Sequence, residues 1–357
     1  MDDIAMRKYT IGVVAVCVAI CCSLLYLPAF TVKANHYIAE YKKMKEEARK
    51  REEMSALDLL RLHEKEISEK KKNEIGNSIR MALPDNIEYS DVRVTNDYMN
   101  RRVEVFFPTT GEQILNKHPI VGSTNHIAEM YVKAAKEGLY VEYYTNQVIE
   151  PVMKQKGQFC YLTLANPREL YKNIVVVDAG HGGKMPGSVK GDVKEKNINL
   201  QIVKKLKKIL DKEKEIRVYY TRLKDVNVEL QDRVELANDL SADLFLSIHQ
   251  NALGESYNSV QGTQVLYQQT DKSTHNSKKF ARILLENVTK TLGSANKGLI
   301  RGNDIYIIRT AKMPVALVEV GFVTNIQEQA KLIDDKYQQK VAEALHRSIM
   351  EAYEKGF

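Results

Sequence analysis

The chain has 357 residues, 44% of them hydrophobic and 28% charged, with a formal net charge of +7. That is room for two folded units, or one with long appendages, and the composition is globular. The modest charge, with no Lys/Arg stripe interleaved with aromatics, excludes nucleic acid as a main partner and licenses only a mild attraction to an anionic surface. Of the four cysteines, Cys17, Cys21 and Cys22 share one apolar run, so neither a disulfide framework nor a cysteine metal site exists elsewhere, where Cys160 stands alone.

Residues 1–9 carry Arg7 and Lys8 just ahead of the uncharged run 10–32. At about 1.5 Å per residue that run is long enough to cross a bilayer core. It exceeds the roughly 7–15 apolar residues of a cleaved signal, so an uncleaved anchor is expected, with cleavage after Val32-Lys33-Ala34 as the alternative. Lys42, Lys43 and Lys45 on the far flank run against the positive-inside preference, but large domains translocate largely regardless of charge. The expectation is a single-pass membrane protein, 1–9 cytoplasmic and the bulk extracytoplasmic. Residues 33–76 contain no proline and no glycine before Gly76, and pairs such as Glu46/Lys50 and Glu66/Lys70 lie four apart. They read as a solvated helical stalk. Its apolar residues do not sustain a heptad, leaving self-association through the stalk an open alternative.

Residues 77–170 form a second block, read as a small, strand-rich α+β domain. SDVRVTNDYMNRRVEVFFP suggests a hairpin, HIAEMYVKAAKEG a helix ending at Gly138, and LYVEYYT and QFCYLTLANP two strands. His118 and His126 read as surface or capping residues. From 171 to 357 strands and helices alternate. IVVVDAG, IRVYYTR, DLFLSIH, GTQVLYQ, DIYIIR and VALVEVG are strand candidates, and amphipathic runs such as INLQIVKKLKKILDKE separate them. Continuous apolar strands are covered on both faces, so the fold class is α/β, a mostly parallel sheet flanked by helices.

Within that block His181 follows the first apolar strand, His249 ends DLFLSIH, Glu319 ends VALVEV, and Glu195 precedes a helix. In open α/β sheets, sites gather at the C-terminal ends of strands. Two imidazoles and a carboxylate are the donor set of an open catalytic zinc site, and a spare carboxylate can carry its proton. Each residue alone has a plain structural reading: a hydrogen-bonded histidine, or a carboxylate favoured at a helix N-terminus. Glu319 is harder to explain that way, because a carboxylate between Val318 and Val320 is costly to bury unpaired.

The motifs VVVDAGHGG, EKNINL, YYTRLKDVNVELQDRVELAN, SIHQNA and IYIIRTAKMPVALVEVGFVTN resemble, in order and spacing, the zinc-dependent N-acetylmuramoyl-L-alanine amidases, bacterial cell-wall hydrolases of amidase type 3. The resemblance implies that His181, Glu195 and His249 hold Zn2+, that Glu319 is the catalytic carboxylate, and that the substrate is peptidoglycan. Departures fall at Met185, Gln250 and Gln264, where the family often has Asp, a small residue and Glu, and bear on substrate preference. Arg222, Arg233 and Asn238 match family positions and read as salt-bridge and capping residues, while Asn251 and Arg301 are candidates to touch substrate. A zinc peptidase acting on stem peptides and a non-catalytic wall-binding scaffold are the alternative functions.

Overall fold

A computed structural model describes residues 78–83, 87–109, 120–122, 124–271 and 273–357. The chain divides into two compact units, Met1–Gly76 and Asn77–Phe357, of which the first lies outside the described residues. The expected cytoplasmic segment 1–9, transmembrane run 10–32 and stalk 33–76 with its self-association fall there, and His118 is also outside. Among the described residues no helix is long and apolar enough to cross a membrane, so the transmembrane helix of the expected fold class is not supported.

Seven strands come first: β1 (Ser78–Ala82), β2 (Arg93–Asp97), β3 (Arg102–Phe107), β4 (Ile127–Ala134), β5 (Leu139–Thr145), β6 (Glu150–Lys156) and β7 (Phe159–Ala165). They form two antiparallel sheets, β2-β3-β5-β4 and β1-β7-β6. Alternation sets the core: Leu139, Val141 and Tyr143 point inward from β5 against Val103, Val105, Cys160 and Leu162. The α+β expectation is corrected here. The expected helix at HIAEMYVKAAKEG is the edge strand β4, paired through Met130↔Tyr143 and Val132↔Val141. Most of β4 is exposed, so it carries the Ala, Glu and Lys of a solvated helix, and pairing with β5 overrides that local preference.

After the short α1 (Pro167–Leu170) come β8 (Asn173–Ala179), the small hairpin β9 (Val189–Lys190) and β10 (Val193–Lys194), α2 (Glu195–Leu210), β11 (Ile216–Tyr220), α3 (Leu230–Asp239) and β12 (Leu244–Asn251). The chain continues through β13 (Thr263–Tyr267), α4 (Ser277–Leu292), β14 (Asn296–Arg301), α5 (Tyr306–Thr310), β15 (Val315–Phe322), α6 (Ile326–Leu332) and α7 (Asp335–Glu354). Six strands make one sheet in the order β11-β8-β12-β15-β13-β14. β8 shows why its sequence is apolar throughout. Val175, Val177 and Ala179 pack with Ile198, Ile202, Phe280 and Leu345 on one face, while Ile174 and Val176 pack with Val234, Ala237 and Ile307 on the other. Each such side chain contributes roughly 1.5–3 kcal/mol when fully buried.

Two further expectations are corrected. The sheet is mixed, because β13 runs antiparallel to β15, and an apolar alternation does not encode strand direction. DIYIIR is not a strand. Its Tyr306–Thr310 segment is α5, burying Ile307 and Ile308, and the preceding NKGLIR supplies edge strand β14. Short apolar runs fit either element.

The strand-rich part is fastened to the outer edge of this sheet. The Tyr98 hydroxyl donates to the Tyr220 carbonyl at 2.9 Å and accepts from its amide at 3.0 Å, capping the open edge of β11. Buried Glu150 accepts from the Tyr219 hydroxyl at 2.5 Å and from Arg217 at 2.6 Å.

Candidate metal centre

The parallel strands β8, β12 and β15 end together, and their register delivers the site. Ser247 lies opposite Asp178 and Ile248 opposite Ala179, while His249 on β12 stands beside Glu319 on β15. His181 is brought back over the strand ends by a tight turn in which it adopts φ +62°, a left-handed conformation that a non-glycine residue holds only under constraint. Gly180 makes the close approach possible: a Cβ there would sit 2.3 Å from the His249 ring.

Buried Glu195 opens α2 between the two histidines. Its Oε2 lies 3.2 Å from His181 Nε2, and its Oε1 lies 2.9 Å from His249 Nδ1. The ligand atoms of His181, Glu195 and His249 all fall within 4.8 Å of one another. Burial pushes the Glu195 carboxyl up, but the hydrogen bonds and charges of both histidines outweigh it and hold the group well below the usual carboxylate range. His249 is lowered by burial, yet the hydrogen bond and charge of Glu195, with Glu319 and Asp178 behind, leave it net raised. Two imidazole nitrogens and an ionised carboxylate converging from three elements fit a divalent metal ion with an open position.

Glu319 differs. Its Oε2 is buried without a hydrogen-bond partner, and burial, reinforced by the charge of Glu195 and opposed by His249, pushes its carboxyl up to about 7. On its other side Gln264 of β13 is its antiparallel partner, so that departure stands next to the carboxylate.

The floor beneath the site is a buried polar frame whose extent the sequence did not disclose. Asp178 pairs with Arg233 at 2.6 Å and accepts from Thr221 and Ser247, each at 2.6 Å. Burial raises its carboxyl, but Arg233 and the two hydroxyls leave it net lowered. Arg233 also donates to the carbonyls of Ala179 and His181, each at 2.8 Å. Arg222 donates to Ala179, Gly180 and Lys196 carbonyls at 2.8, 2.9 and 2.9 Å. The two arginines are thus carbonyl clamps on the turn that carries His181. Asn238 does tie elements together, donating to the Thr310 carbonyl and accepting from the Lys312 amide. Asn251 ends β12 next to the site and caps the Ala252 amide. Arg301 is paired with Tyr267, itself opposite Ala316 at the start of β15, so it lies about 10 Å down the strands from the level of Glu319. His126 precedes β4, where its Nδ1 lies 3.0 Å from Gln147 Nε2.

The N-acetylmuramoyl-L-alanine amidase family matches residues 175–351. The Bacillus subtilis (strain 168) N-acetylmuramoyl-L-alanine amidase LytC is 34% identical over 190 residues, 53% of this chain and 37% of that protein. The uncharacterized protein YqiI of the same strain is 35% identical over 180 residues, 50% of this chain and 84% of YqiI. Its germination-specific N-acetylmuramoyl-L-alanine amidase is 31% identical over 198 residues, 51% of this chain and 81% of that protein. The chain therefore spans little more than a third of LytC but most of the two shorter relatives, and it belongs to the N-acetylmuramoyl-L-alanine amidase family.

Proposed function

We propose that the chain is a zinc-dependent N-acetylmuramoyl-L-alanine amidase, hydrolysing the amide between the lactyl group of N-acetylmuramic acid and the L-alanine of the stem peptide in peptidoglycan. Residues 171–357 carry the catalysis, and residues 77–170 form an accessory region. With that substrate the catalytic unit works outside the cytoplasmic membrane. The observation that carries the reading is the pairing of a convergent His181–Glu195–His249 donor set with a neighbouring Glu319 whose buried oxygen has no partner.

His181, Glu195 and His249 would hold the zinc. When bound, zinc supplies Lewis acidity toward a carbonyl and toward water. Glu319 takes a proton from the attacking water, and burial, which favours its protonated form, helps it hold that proton until it is given back. It returns that proton to the departing nitrogen, because an amide nitrogen does not leave as an anion. A C–O bond forms, the C–N bond breaks, and the products are a lactyl carboxylate and a stem peptide with a free L-alanine amine. Arg222 and Arg233 keep the His181 turn in place through its carbonyls.

Mass spectrometry of purified peptidoglycan digested by the full chain tests this. The expected products are intact stem peptides beginning with a free L-alanine amine, abolished by a chelator. Cleavage only within the stem peptide would point instead to a zinc peptidase, and no chelator-sensitive cleavage would leave a wall-binding scaffold.

A further inference from the structure

We propose that Asn199 is the positioning residue that sets the geometry of the metal centre, by tying together the three segments that carry its ligands. The inference rests on the zinc reading above and deepens it.

The reason lies in how the sheet ends. Gly180 N–H donates to the Ile248 carbonyl at 3.1 Å, the last regular backbone bond between β8 and β12. A parallel ladder carried one step further would pair the Gly180 carbonyl with the Gln250 N–H. That bond is not made. The strands part so that His181 and His249 can face one another, leaving a buried carbonyl and a buried amide in need of partners. The Gln250 N–H is taken by Glu195 Oε1 at 3.0 Å. The Gly180 carbonyl is taken by Asn199 Nδ2 at 3.1 Å, together with Arg222.

Asn199 sits one helical turn after Glu195 on α2 and is fully buried. Its amide spends one hydrogen on Gly180, next to His181, and the other on Glu195 Oε1 at 3.3 Å. Its Oδ1 accepts from Gln250 Nε2 at 3.1 Å, next to His249. One side chain therefore fixes the neighbour of each histidine and the carboxylate itself. An amide is required, because two acceptors face its nitrogen end and a donor faces its oxygen. Gln250, which departs from the small residue common in the family, keeps the Asn199 amide in that orientation.

The test is zinc affinity of the folded full-length chain, measured by chelator competition, with circular dichroism and the melting temperature of the metal-free form as controls. Asn199→Asp puts an oxygen opposite the Gly180 carbonyl and Glu195, and should weaken zinc binding by about 10–100-fold, the usual effect of losing an outer-shell partner. Gln250→Met, nearly isosteric and more certain to fold, removes only the orienting donor and should weaken it by about several-fold. Asn238→Ala is the comparison, since that asparagine ties α3 to the segment after α5 away from the site. It should lower the melting temperature and leave zinc affinity unchanged. The inference is overturned if folded Asn199→Asp and Gln250→Met bind zinc like the unaltered chain, or if Asn238→Ala weakens zinc binding as much as Asn199→Asp. An unaltered chain that binds no zinc would overturn the metal reading itself.

Discussion

Glu195 and Glu319 occupy adjoining pockets of one site, and their surroundings drive them in opposite directions. Around Glu195 both oxygens are occupied: Ser188 N–H donates to Oε2 at 2.8 Å, Gln250 N–H and Asn199 donate to Oε1, and a histidine faces each side. The carboxylate is kept ionised, as a metal ligand must be. Around Glu319 there is no such set of donors, and its buried Oε2 meets none. The same burial that Glu195 overcomes leaves Glu319 poised to change protonation state. In the proposed function, environment and not residue type divides holding a cation from carrying a proton.

That contrast can be broken from the Glu195 side first. His181→Ala removes one of the three proposed ligands and should abolish both zinc binding and turnover, seen as loss of stoichiometric metal by atomic spectroscopy. Retained metal would place the site elsewhere. Gly180→Ala is subtler. The new methyl meets the His249 ring, so that imidazole must move, and zinc affinity measured by competition should fall by at least about tenfold.

The floor gives a stability prediction. Asp178→Asn leaves the buried Arg233 guanidinium without its counter-charge and should cost about 3–5 kcal/mol in denaturant unfolding at pH 7. Because the folded-state pKa of Asp178 is depressed, its stabilisation is present above the unfolded value and lost as pH falls through the folded one. Stability of the unaltered chain should therefore drop below about pH 4, and the drop should be shallower in Asp178→Asn. Equal acid sensitivity in both would remove Asp178 from that role.

Much of the site was legible in the sequence because three of its four residues stand at or near the ends of apolar strands, a signal carried by composition and position alone. IVVVDA, LFLSIH and VALVEV all lie in strands, and His181 just beyond the first, His249 in the second and Glu319 in the third stand out against them. What the sequence hid is whatever depends on partners distant along the chain. β4 takes its conformation from β5, and the direction of β13 is set by its approach to β15. Arg222 and Arg233 read as structural residues, but nothing local shows that their targets are carbonyls of the His181 turn. Asn199 looks like one more polar residue on α2 until the Gly180 carbonyl and Gln250 amide are seen to part above it. Arg301, attractive from its motif, lies at the wrong level of the sheet.

The division of labour between the two glutamates is tested most directly by measuring bound zinc and released stem peptide together in Glu319→Gln. Zinc should bind as in the unaltered chain, while turnover on peptidoglycan falls by about 10²–10⁴-fold, the usual contribution of a general acid–base. Undiminished release of peptides with a free L-alanine amine, or loss of the metal along with the activity, would contradict it.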